Sequence, residues 1–434
     1  MPTRIKSYWI LLLFAGIACQ HAAPPPPAAA PVPAVAYRQA AEFEPTEAVW
    51  LLWSPYGHKQ GFSNEQVTLD ILAALVPQVR VKLVVPNDSI RQLVQRRVPA
   101  DWQEYGKVSL YTLPYNEFWA RDMGPVFVQS AKGLAMADFS FNGWGTSTEQ
   151  DPLQKENEQL DEKAAALLQL PVVSSKVISE GGDREVNGKG VLIASEVVEQ
   201  GRNPGLSLAE IAAEFKRLLG ASKVIWLKQG LYEDDHTHRG PIQGPKGQQL
   251  YTVLTTNGHV DEYCRFADAR TILLAAVDSS ELADDPISRE NAKRLEINHQ
   301  ILKQATDQDG HPFRILRVPM PYPVIDKLRP GDGVYDLISQ FDYLDGSVFP
   351  KGKPVKAIAA ASYLNFLIAN EVVLVPKYAR PGSPPAVARR DAEAQAALAG
   401  AFPGKKIIPI DALAVNWGGG GIHCITANEP VSKF

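Results

Sequence analysis

Apolar residues fall in short β-rich runs that alternate with longer stretches in which apolar positions recur every three or four residues. The first pattern predicts strands at Ala48–Trp53, Val81–Val85, Val108–Thr112, Val172–Ile178, Val191–Ser195, Lys223–Leu227, Thr271–Ala275, Phe313–Val318, Glu371–Val375 and Lys406–Ile410. Helices are expected at Asn64–Val76, Leu160–Leu168, Leu208–Leu219, Pro286–Ala305 and Ala386–Ala401, the last four on the second pattern. Ser207 with Glu210 three residues on forms a capping-box start for the third helix. Strands and helices mixed in this order give an α/β protein.

Ahead of these elements, Met1–Ala18 carries a basic head (Arg4, Lys6) and the apolar run Tyr8–Ala18. The run is too short to span a membrane, which takes roughly 20 residues, and it suits a secretory signal. Cys19 follows small residues and resembles the lipid-modified cysteine of a bacterial lipoprotein; plain cleavage and soluble export is the alternative. Residues 19–36, rich in Pro and Ala, read as a stiff tether without core-forming side chains. The expectation is an exported protein of the bacterial periplasm or cell envelope, attached to a membrane through Cys19 where that residue is lipidated. No second linker interrupts residues 37–434, which read as one domain.

Charge then narrows the classes. Forty-four Lys plus Arg against 48 Asp plus Glu leave a net charge of −4, without the basic excess expected of a nucleic-acid binder. Three cysteines, at positions 19, 264 and 424, make neither a disulfide scaffold nor a CxxC zinc pattern. No P-loop, GxGxxG fingerprint or GxSxG elbow stands where a strand–turn–helix needs one.

Polar clusters recur along the chain: Trp53–His58, Trp119–Asp122, Glu180–Gly182, Gly258–Asp261, Ser362–Asn365 and Gly418–Cys424. Such recurrence hints at repeated modules feeding one site. Cys424 follows four consecutive glycines, which mark backbone that approaches a ligand closely or takes positive φ. It reads either as a nucleophile or as a core cysteine beside a glycine hinge. Its neighbour His423 points to the opposite face if the segment is an extended strand, so it is a poor partner base. His259 and Asp261 share a face if they lie on a strand, as a proton shuttle beside a cation clamp or as a solvated pair. Asp122 reads as a cation ligand or as the partner of Arg121, and Glu180 as the orienter of a histidine or a turn residue. Asp234-Asp-His-Thr-His238 has His-x-His spacing without a convincing third ligand, so no metal is expected there. Cys264 reads as a packing residue.

Six motifs in order, Trp119-Ala-Arg-Asp-Met-Gly-Pro125, Asp138–Gly145, Glu180-Gly-Gly182, Thr256–Asp261, Ala361–Phe366 and Gly418–Cys424, resemble the agmatine deiminase family. That family, of the guanidine-modifying pentein superfamily, includes the bacterial peptidylarginine deiminase. The resemblance runs from Phe43 to Val431. It implies a five-bladed α/β propeller of ββαβ modules about a pseudo-fivefold axis. It also implies hydrolysis of a small guanidino substrate to a ureido product and ammonia, without metal or organic cofactor. By motif, Cys424 is the nucleophile, His259 the general acid/base, and Glu180 its orienter. Asp122 and Asp261 hold the guanidinium, and Trp119 either walls it or packs in the core. Gly143-Trp144-Gly145 looks like the agmatine branch, with no arginine in that stretch to meet an α-carboxylate. The acidic run Glu233-Asp234-Asp235 is a candidate receiver of agmatine's distal ammonium. The alternatives are an exported peptidylarginine deiminase and a non-catalytic guanidino or polyamine receptor. The stretch between Asp235 and Thr256 is longer than in the agmatine branch.

Overall fold

The computed structural model describes residues 36–54, 56–147 and 151–432. The expected leader and Cys19 lie outside the described residues, as does the tether apart from Ala36.

One strand order recurs in five sheets. An antiparallel pair comes first, and a helical connection then returns the chain to a third strand parallel to the second. Phe127–Ser130, Gly133–Ser140 and Val172–Ile178 form one such sheet. Glu185–Val186, Val191–Ser195 and Lys223–Leu227 form the next, then Cys264–Asp268, Thr271–Ala276 and Arg314–Pro319, then Leu367–Ala369, Val372–Lys377 and Lys406–Asp411. In the fifth, the pair joins the two ends of the described chain. Thr426–Pro430 runs antiparallel to Thr46–Leu52, followed by parallel Arg80–Val85 and Val108–Thr112. Helices Asn64–Leu75, Leu160–Leu168, Leu208–Leu219, Pro286–Gln304 and Pro385–Ala401 supply the crossovers. The middle strands are buried end to end or nearly so, as in Val191–Ser195. Burial on both faces is why they stood out as unbroken apolar runs. The capping box forms as expected: the Ser207 hydroxyl accepts from the Glu210 N–H, and the Glu210 carboxylate accepts from the Ser207 N–H.

Two features depart from the sequence reading. A sixth sheet, in the order Ile242–Gln243, Gln249–Thr252, Val355–Ile358 and Ile325–Leu328, gives the long 235–256 stretch a partner from a second long connection. It rests on its own apolar cluster, including Tyr251, Tyr335, Phe349 and Trp417. In addition, neither His259–Asp261 nor His423–Cys424 is an extended strand. Val260–Glu262 is one turn of 3-10 helix capped by His259, and Ile422–Ile425 is a turn. Both segments bend immediately before their sheet begins.

That placement is general and accounts for the recurring polar clusters. Asp122, Glu180, Asp261, Asn365 and Cys424 each lie in the segment that leads into the first strand of one of the five sheets.

Candidate active site

The turn at Ile422–Ile425 seats Cys424 with its side chain buried, 5 % exposed. Its Sγ lies 3.1 Å from Asn365 Nδ2, 3.6 Å from Asp261 Oδ2 and 3.9 Å from Glu262 Oε1. The glycines before it have steric causes. At Gly419 φ is +107°, and a Cβ would stand 1.6 Å from the Leu254 carbonyl oxygen. Only glycine tolerates that combination.

His259 is fully buried, with Nε2 3.4 Å from Glu180 Oε2 and Nδ1 3.8 Å from Asp122 Oδ1. Asp122 accepts the Gly182 N–H at 2.9 Å on one oxygen and the Trp144 indole N–H at 2.8 Å on the other. Gly182 is the floor of the site: a Cβ there would lie 2.6 Å from His259 Nδ1 and 3.1 Å from Asp261 Oδ2. The mouth is formed by Trp119, Asp122, Trp144, Leu254–Thr256, Gly418–Gly420 and Cys424. The Trp119 and Trp144 rings stand perpendicular, 6.4 Å apart, and Trp119 also packs on Phe118. Several buried polar atoms have no hydrogen-bond partner in the protein, namely His259 Nδ1, Asp261 Oδ1 and Asp234 Oδ2. Buried polar groups are paired as a rule, so a ligand with several donors fits here.

The charges are set by their neighbours. Burial would raise the Glu180 carboxyl, but Arg202 and the hydrogen-bonded His259 bring it down to about 2. Burial would lower His259, yet Asp122, Glu180 and Asp183 carry it up to about 9. The Cys424 thiol is pushed well above its usual range by burial and by the charges of Asp261, Glu262 and Asp122. Burial, with Asp261 and Glu180 nearby, raises Asp122 despite the adjacent imidazole. The site is therefore an anionic pocket around a protonated thiol, and a cation entering it stabilises the thiolate.

Within the acidic run, Asp234 Oδ2 and Asp235 Oδ1 are buried without a hydrogen-bond partner, but Asp235 has cationic neighbours and Asp234, among the described residues, none at ion-pair distance. Asp235 is 3.0 Å from Arg294 and 2.6 Å from His236, and Glu233 accepts from Asn291. His238 packs its ring on Phe341. Among the described residues, two groups offer metal-type donor atoms within 4.8 Å of one another: Asp261 with Glu262 and Cys424, and Asp307 with Asp309 and His311. In the first, the Asn365 amide already donates to Glu262 and to the sulfur. In the second, Arg270 sits against both aspartates. Cys264 is buried in a strand, as expected of a packing residue.

Four further residues belong to the site without having been given a role in it from sequence: Glu262, Asn365, His423 and Arg202. Adjacency to Asp261 and Cys424 was the available signal for Glu262 and His423. Arg202 ends the helix Glu196–Arg202 and donates Nε to Glu180 Oε1 at 2.6 Å and Nη2 to the Thr256 carbonyl at 2.8 Å. It thus ties the Glu180 and His259 loops together. Replacing Arg202 with methionine strands a buried carboxylate, and the expected loss of about 3–5 kcal/mol in unfolding free energy is readable from denaturant midpoints.

The sequence profile of the family described as Porphyromonas-type peptidyl-arginine deiminase matches residues 38–240 and 245–430. An agmatine deiminase of Pseudomonas aeruginosa (strain LESB58) is 29 % identical over 408 residues, covering 92 % of this chain and 96 % of that one. The structure of the Enterococcus faecalis agmatine deiminase superposes with a TM-score of 0.70 at 24 % identity, over 91 % of this chain and 96 % of that one. A C. jejuni agmatine deiminase solved with substrate bound gives 0.64 at 20 % identity, over 92 % and 98 %. The chain is a mixed α/β protein and belongs to the Porphyromonas-type peptidyl-arginine deiminase family.

Proposed function

We propose that the chain hydrolyses the guanidinium of agmatine to a ureido group with release of ammonia. The observation that carries this reading is the convergence of a buried thiol, an imidazole and two carboxylates: Asp122 and Cys424 line a space walled by two indoles, His259 and Asp261 meet Asp122 around Gly182, and Asp261 Oδ2 lies 3.6 Å from the thiol. A guanidinium is planar and cationic, and carboxylates can fix its N–H groups while its central carbon stays open. Asp122 and Asp261 take this role, with Trp119 and Trp144 walling the flat group. With the cation bound, the Cys424 thiol loses its proton to solvent, and the thiolate attacks the carbon and forms a C–S bond. His259, oriented by Glu180, gives its proton to the departing nitrogen, and the C–N bond breaks to release ammonia. The same imidazole then takes a proton from water, which attacks the thiouronium. Cleavage of the C–S bond frees the ureido product and restores the thiol. The five sheets of like order support a five-bladed propeller with these residues near its axis, in one domain from residue 37. Export, with Cys19 as a lipid attachment point, remains part of the proposal.

The lining favours a small cationic substrate over peptidyl arginine, because among the described residues no Lys or Arg lines the mouth to meet a carboxylate. Ammonia release from agmatine, free arginine and a peptide ending in arginine tests the choice. Agmatine is expected to give the highest kcat/KM; preference for the peptide would move the assignment to a peptidylarginine deiminase. Asp234 adds negative charge beside Asp261 and has an oxygen to spare. Asp234→Asn is therefore expected to raise KM for agmatine about tenfold, the size of one charge-assisted hydrogen bond. An unchanged KM removes Asp234 from substrate binding.

A further inference from the structure

His423 adjoins the nucleophile, yet the catalytic steps leave it unused. Its ring is clamped between two carboxylates: Nδ1 is 2.7 Å from Asp261 Oδ2, and Nε2 is 2.8 Å from Glu42 Oε2. Glu42 arrives from the segment before the first strand, and its side chain is 8 % exposed. Its Oε2 lies 3.1 Å from Arg265 Nη2 and 3.2 Å from Arg121 Nη2, while Oε1 accepts the Ile368 N–H at 2.6 Å. Burial alone would raise this carboxyl, but Arg265, His423 and Arg121 hold it well below the usual carboxylate range. Glu42 is thus a fixed anion, pinned from three separate parts of the chain. The His423 backbone N–H in turn donates to Asn365 Oδ1 at 2.9 Å, so ring and backbone are both anchored.

The consequence falls on Asp261. A carboxylate has a broad, nearly two-fold torsional preference about its last bond. Nothing in Asp261 itself decides which oxygen faces the thiol and which faces the open space. His423 takes Oδ2, and Oδ1 is left buried and unpartnered. We propose that Glu42 and His423 form a positioning pair that fixes the Asp261 carboxylate and so presents Oδ1 to the guanidinium. This inference rests on the guanidino reading above. Both are positioning residues: neither touches the reacting atoms, and their effect is on substrate binding more than on bond breaking.

The test is steady-state ammonia release from agmatine by the full chain and three variants. His423→Ala is expected to raise KM at least about tenfold, with kcat falling less, the signature of lost ground-state and transition-state binding together. His423→Asn places an amide nitrogen where Nδ1 stood, and is expected to recover most of that loss although the link to Glu42 is gone. Glu42→Gln keeps the shape and removes the charge, and is expected to raise KM by a smaller factor; it also serves should the alanine variant not fold. Unchanged KM in the folded variants, or no recovery with asparagine, overturns the inference while wild-type turnover leaves the functional reading standing. A wild-type chain that releases no ammonia from any guanidino compound overturns both.

Discussion

Replacing Cys424 with alanine is expected to reduce ammonia release from agmatine by on the order of 10⁴-fold or more, as removal of a nucleophile does in other covalent enzymes. The fold should survive, because alanine keeps the Cβ that packs behind the glycine loop and only the sulfur is lost. Agmatine affinity should persist too, since Asp122 and Asp261 are untouched. Wild-type protein quenched during turnover should carry a covalent adduct on Cys424, seen by mass spectrometry, and the alanine variant none. Because burial and the surrounding carboxylates keep the thiol protonated in the empty site, alkylation without substrate should be slow at neutral pH. Residual activity within a factor of about ten of wild type would exclude covalent catalysis through this residue.

His259→Gln carries the second large effect, a fall of roughly 10²–10⁴ in kcat, the usual worth of a general acid/base. Its pH dependence is the sharper test. In the free protein the imidazole is raised to about 9, so it holds a proton through the neutral range and loses it as pH rises past that value. The proton must be present to release ammonia, so wild-type kcat/KM should decline above about pH 9. The glutamine variant has no proton to lose there, and its profile should lack that decline. A wild-type profile that rises through pH 9 and stays high would assign the acid role elsewhere.

The sequence revealed those parts of the fold that are local. Val191–Ser195 was legible because a covered strand reads as an apolar run, and Leu208–Leu219 because its caps are written beside it. The two-residue strand Glu185–Val186 was not, since two residues show no periodicity. Nor was the sixth sheet, in which Tyr251 pairs with Ala357 across two long connections. In the site, motif residues announced themselves through glycines and aromatics around them. The expectation that His423 faces away from Cys424 fails because alternation of faces holds for strands, and in the observed turn the two neighbours converge on the same aspartate. Glu42 had no local signal at all: its partner His423 lies 381 positions away.

The pairing of Thr426–Pro430 with Thr46–Leu52 has a temporal consequence. A chain still leaving the ribosome can order Asp122, Glu180, His259 and Asp261 in turn, each ahead of its own sheet. The thiol comes last, and its turn is anchored only when the final strand docks on the first. Until then the molecule has collected its negative charges around an empty seat, so synthesis itself withholds chemistry until the last strand has met the first.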